Sequence, residues 1–136
     1  MTRRRCTRCG RELRAPDQAH ACRPRTLDEH FARRPPALRE AFDALLAACL
    51  AAPRVEVEPL PATIHLAAGR PFAIVTPRRE TLKLALLLDR ALDDPRIVRR
   101  EALPASRHVH TLLLRGPDEV DDALIAWLRE AQALAG

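Results

Sequence analysis

The chain has no tyrosine and no asparagine, one tryptophan, three phenylalanines, one serine, one lysine and four glycines among 136 residues. Each scarcity removes a class of function. The lone serine sits in Pro104-Ala105-Ser106-Arg107 rather than in a Gly-x-Ser-x-Gly elbow, so no serine hydrolase is expected. So few glycines leave no Gly-rich loop to cradle phosphates. No aromatic residue lies between Met1 and His30, so stacking on single-stranded bases is not expected from that segment. No run of about 18 apolar residues occurs, so no membrane helix is expected. Met1-Thr2-Arg3-Arg4-Arg5 is followed by no apolar stretch and does not read as a secretory signal. The expected location is the cytoplasm, where a Cys-x-x-Cys pair holds metal rather than a disulfide.

Arginine is what the chain has in abundance. Much of that bias, like the alanine bias, is a signature of a GC-rich genome. Its distribution is more informative. Residues 1–34 carry a net charge of +6, and residues 35–136 a net charge of −1, within the +5 of the whole chain. The basic front end, with Arg3, Arg4, Arg5, Arg8 and Arg11, can attract nucleic acid phosphates or an acidic protein partner. It is equally readable as a solvated surface.

The same segment holds Cys6, Cys9, His20 and Cys22, in Cys6-Thr7-Arg8-Cys9-Gly10 and His20-Ala21-Cys22. Three thiolates and one imidazole are the right number and type for a closed tetrahedral Zn2+ site. Gly10 lets the backbone turn back toward the sulfurs, and the residues between Cys9 and His20 suffice for a return arm. The His-x-Cys spacing is shorter than usual, yet in extended backbone it puts both side chains on one face. An iron–sulfur cluster would need a fourth thiolate, and only the remote Cys49 is left to supply it. Residues 1–25 offer little apolar surface beyond Leu13, too little to offset about 1–2 kcal/mol of backbone entropy per ordered residue. Structural zinc contributes on the order of 10–16 kcal/mol in small peptides. The expected organisation is a zinc-knuckle head over 1–25 and an α+β domain over 26–136.

Local signals divide the body. Thr26 followed by Glu29 forms a capping box for a short helix over 27–33, ended by Pro35-Pro36. Leu38, Phe42, Leu45 and Cys49 recur at helical spacing, and Cys49 is expected to be a buried thiol. Strand candidates are 55–58, 63–67, 72–76, 82–88, 98–103 and 109–114, expected to make an antiparallel meander of about five strands. Glu56 and Glu58 read as the solvated face of an edge strand or, less readily, as an acid pair. Gly116-Pro117-Asp118-Glu119 is expected to open the last helix, whose stripe is Val120, Leu124, Trp127, Leu128, Ala131 and Leu134. Both long helices are expected on one sheet face.

The order of motifs also resembles a known family. Cys6-x-x-Cys9-Gly10-Arg11, His20-x-Cys22, Asp28-x-His30-Phe31 and Val55-x-Val57-x-Pro59 come first. Phe72-Ala73, Pro77-Arg78, Asp93-Asp94-Pro95-Arg96, His110 and the stretch from Asp121 to Leu128 follow. Together they resemble a bacterial family of domains of unknown function, sometimes labelled predicted transport proteins. That resemblance brings no activity. The strands and final helix also resemble YjbR-type small α+β domains, which implies a single antiparallel sheet backed by helices.

No catalytic constellation stands out. The leading expectation is a zinc-stapled binding or adaptor protein that contacts nucleic acid or another anionic partner. A second reading is a small anionic-ligand domain, or an enzyme, with a basic pocket near Arg78, Arg96, Arg107 and His110. A third is a protein–protein interaction module.

Overall fold

A computed structural model describes residues 4–5, 12–13, 26–51 and 54–136 of the chain. Two short strands, β1 (Arg4–Arg5) and β2 (Glu12–Leu13), pair antiparallel near the start. Thr26 then caps α1 (Leu27–Phe31): its Oγ1 accepts from the Glu29 amide at 3.1 Å and donates to Glu29 Oε1 at 3.3 Å. Helix α1 is shorter than the sequence suggests, because Pro35 and Pro36 restart the chain as α2 (Pro36–Ala48), with Pro36 at its first position. The α2 stripe of Leu38, Ala41, Phe42, Leu45 and Ala48 is buried. Cys49 closes α2 half-buried rather than within the core, and its thiol donates to the Leu45 carbonyl at 3.4 Å. Partial burial pushes that thiol up to about 11.

The sheet contains β3 (Glu56–Pro59), β4 (Ile64–Ala68), β5 (Arg70–Pro77), β6 (Leu82–Leu88), β7 (Arg99–Leu103) and β8 (Arg107–Leu114). All neighbours are antiparallel, in the order β3-β4-β5-β6-β8-β7. The expected meander therefore holds only as far as β6. The segment 89–98 carries the chain past the place beside β6, and β8 returns to fill it. The reason is in the side chains. β8 supplies His110, Thr111, Leu112 and Leu114, all buried, and needs a neighbour on each side. β7 is Arg99-Arg100-Glu101-Ala102-Leu103, exposed throughout, and suits an edge. β3 forms the other edge, with Glu56 and Glu58 exposed. Gly69, at φ +81°, makes the tight connection that lets β5 begin at Arg70, where the sequence suggested a break.

The last helix also starts later than expected. Pro117–Glu119 forms a separate 3-10 turn, and α3 (Asp122–Ala135) is capped by Asp121, whose carboxylate accepts from the Leu124 amide at 3.0 Å. Both long helices lie on one face of the sheet. Phe42, Leu45, Leu124 and Leu128 meet Leu66, Val75, Leu84, Leu86 and Leu112 in a single core. Burial of each such side chain contributes about 1.5–3 kcal/mol before entropy is counted.

Two buried polar groups fasten the periphery. His30 donates from Nε2 to the Leu60 carbonyl at 2.6 Å, tying α1 to the β3–β4 turn. Gln132, fully buried on α3, accepts from the Leu50 amide at 2.6 Å and donates to the Leu50 carbonyl at 2.9 Å. It thus fixes the segment that leaves α2.

Candidate functional site

The expected metal ligands Cys6, Cys9, His20 and Cys22 lie outside the described residues, as do Arg3, Arg8 and Arg11. What is described is the backbone on either side of the first pair: Arg4 opposite Leu13 and Arg5 opposite Glu12. Among the described residues no three histidine, cysteine or acidic side chains are grouped to hold a metal.

The four basic residues assigned by sequence to one pocket do not share one. Leu82 pairs with Leu114 and Leu88 with His108, so the β5–β6 turn bearing Arg78 lies at the opposite end of the sheet from Arg107. Arg96 is neutralised. Its guanidinium contacts Asp121 at 3.0 Å and Asp94 at 3.5 Å, and lies 5.2 Å from the Trp127 ring centre. It pins the 89–98 loop to α3 rather than facing a ligand.

His110 is a second fastener. It is completely buried on the helix-covered side of β8, and its Nε2 accepts from the Leu92 amide at 2.9 Å. The ring proton must then reside on Nδ1, which meets no acceptor in good hydrogen-bond geometry among the described residues, the Leu86 carbonyl included. Arg100 donates to the carbonyl of the same Leu92 at 2.9 Å, so both polar backbone groups of this buried residue are taken. Burial holds the His110 pKa below the ordinary imidazole value, and His108, Arg100 and Arg90 act in the same direction. The Leu86 carbonyl opposes them. Outside this anchor, Arg90 makes a bidentate pair with Glu130 of α3, at 2.9 and 3.0 Å. That pair, chiefly through its hydrogen bond, lowers the Glu130 pKa.

Arg107 lies elsewhere, with a partner the sequence did not suggest. It lines a cleft of about 240 Å3 together with Arg70 and Asp89. The floor is Phe72, Leu88 and Ala131, all buried, and Leu134 stands at 40% exposure on the α3 side. Arg70 donates to the Leu134 carbonyl at 3.2 Å, which holds its guanidinium against the end of α3. The strand candidates 63–67 and 72–76 leave Arg70 in the gap between them, so the sequence does not single it out. The available signal was an arginine directly after a glycine between two apolar runs.

Ala105 also lines this cleft, in the β7–β8 turn. Ala105 and Ser106 have φ of 63° and 58°. Left-handed backbone costs a non-glycine residue about 1–2 kcal/mol, so the turn is strained at the edge of the cleft.

The face of the sheet opposite the helices carries a shallow depression of about 280 Å3, lined by Ile74, Thr76, Lys83, Val109 and Thr111 among others. His65, on that face opposite Glu58, is half-buried, as expected of a strand histidine. No helix among the described residues is long and apolar enough to cross a membrane.

No curated protein and no solved structure matches the chain. The profile of a family described as a domain of unknown function, DUF5655, matches residues 27–135, from the first residue of α1 to the last of α3. The match covers the six-stranded sheet and helices α1, α2 and α3 and begins after Cys22, and on it the chain belongs to the DUF5655 family.

Proposed function

We propose that the chain is a zinc-stapled, non-catalytic binding protein of the bacterial cytoplasm. In this reading the α+β body is the scaffold. The head over 1–25, with Zn2+ on Cys6, Cys9, His20 and Cys22, presents Arg3, Arg4, Arg5, Arg8 and Arg11 to nucleic acid or an acidic protein partner.

The observation that carries this reading is the pairing of Arg4–Arg5 with Glu12–Leu13. An antiparallel pair of two residues per strand has no independent stability. A metal bound to Cys6 and Cys9, which fall between the two strands in sequence, would supply what the pair lacks. The charge partition points the same way, since the positive charge sits on the head and the body is nearly neutral.

Two measurements test the proposal. Elemental analysis of the reduced, untagged protein should give one zinc per chain, and chelation should release the thiols of Cys6, Cys9 and Cys22. Binding to a generic DNA duplex should fall steeply with salt. Five arginine–phosphate contacts correspond to a slope of about −4.5, or about a 500-fold loss between 50 and 200 mM salt. Zinc near nil with freely reactive cysteines defeats the metal assignment, and a flat salt response defeats the nucleic acid assignment.

A further inference from the structure

We infer that the cleft between β5, β6, the β7–β8 turn and α3 binds a small organic monoanion with an apolar tail, of the class of short-chain acyl or aryl carboxylates. This inference is independent of the head.

Charge and shape converge on that class. Arg107 is half-buried at the cleft and pairs with no carboxylate among the described residues. A guanidinium with free N–H groups beside an apolar floor suits a carboxylate, which it can grip with two parallel hydrogen bonds. Arg70 lines the same cleft, and its bond to the Leu134 carbonyl uses one N–H group and leaves others. Asp89 shares the lining, so the cleft holds two positive charges against one negative. That balance favours a single negative charge over the two of a phosphate ester.

The floor selects the other half of the ligand. Phe72, Leu88 and Ala131 present apolar surface, and Leu134 remains exposed where a tail would cover it. The volume of about 240 Å3 falls just under the roughly 300–1,000 Å3 of clefts for drug-sized ligands, so the tail is short. Finally, strained non-glycine backbone at Ala105 forms part of the wall. Strain of this kind gathers where a chain is held to shape a ligand site.

The test is a titration of the full-length, 15N-labelled protein with hexanoate, read by amide chemical shifts. Saturable shifts are expected around Phe72, Leu88 and Ala131, in the low millimolar range or tighter, as befits a small fragment. 1-Hexanol and hexylammonium carry the same tail without the negative charge, and inorganic phosphate carries charge without the tail. All three should bind at least about tenfold more weakly. Arg107→Gln should weaken hexanoate by about 10- to 100-fold, the scale of a hydrogen bond to a charged group. Leu134→Asp should abolish binding, and Arg79→Gln, in the turn at the far end of the sheet, should leave it unchanged. Equal binding of hexanol or phosphate, shifts centred elsewhere, or indifference to both cleft substitutions overturns the inference. The comparison of hexanoate with hexanol on the unmodified protein decides the matter even where a variant folds poorly.

Discussion

Replacing His110 with leucine tests the clearest internal device of the fold. The imidazole is fully buried and accepts from the Leu92 amide, so the folded state needs its neutral form. His110→Leu keeps similar bulk and removes the acceptor, leaving a buried amide unsatisfied at a cost of about 1–3 kcal/mol. Loss of the buried, unbonded Nδ1 offsets part of this. A net loss of about 1–2 kcal/mol is expected at pH 7.5, or about 4–8 °C in Tm. The pH dependence is the sharper prediction. Because the folded pKa is lowered, the unfolded chain takes up a proton first as pH falls below about 6.5. The native protein then loses stability, by at most about 1.4 kcal/mol per pH unit, until the folded pKa is reached, after which the loss stops. The leucine variant has no such term, so its deficit should shrink between pH 6.5 and 5.5. The lowered carboxyl groups of Asp121 and Glu130 lose their contribution only at more acidic pH, below the usual carboxylate values, and do not obscure this window. Urea unfolding followed by the fluorescence of Trp127, the single tryptophan, provides the assay. A deficit that stays constant or grows between pH 7.5 and 5.5 refutes the neutral-imidazole anchor.

Other substitutions probe the remaining fasteners by the same unfolding measurement. Gln132→Leu strips both polar groups of Leu50 of their partner and should cost about 2–4 kcal/mol. Asp121→Ala removes the α3 cap and the Arg96 partner and should cost about 1–2 kcal/mol. That cost should disappear when the native carboxyl is protonated, since its stabilising effect is present above the ordinary Asp pKa near 3.8 and is lost as pH falls through the lowered folded value. Ser106→Gly relieves one left-handed residue and should raise stability by about 0.5–1 kcal/mol, with a matching rise in urea midpoint. Phe42→Ala, at a fully buried position, should cost about 3–5 kcal/mol.

Local chemistry was legible wherever a few consecutive residues decide the outcome. Thr26 and Glu29 announced the α1 cap, and Pro36 the start of α2. The alternation within Leu82–Leu88 was masked by apolar residues on both faces, yet the strand itself was plain. Glu56 and Glu58 marked an edge, and β3 is one. The start of α3 was misplaced because Pro117 followed by acids has the signature of a helix opening. Asp121, whose carboxylate accepts from the Leu124 amide, caps the helix instead, five residues after Gly116.

The sequence by itself determined, from residue 26 onward, which segments become helix or strand to within a few residues at their ends, which face of each is apolar, and where the positive charge gathers. Those properties depend on neighbours a few residues apart, and residue type alone carries them. Only the tertiary structure decided that β8 enters between β6 and β7, and that this topology sets His110 against Leu92 and Arg107 beside Arg70. Periodicity gives a strand its buried face but not its neighbours. Those are chosen by long-range competition among apolar strands for the central places, and the charged β7 lost that competition to β8.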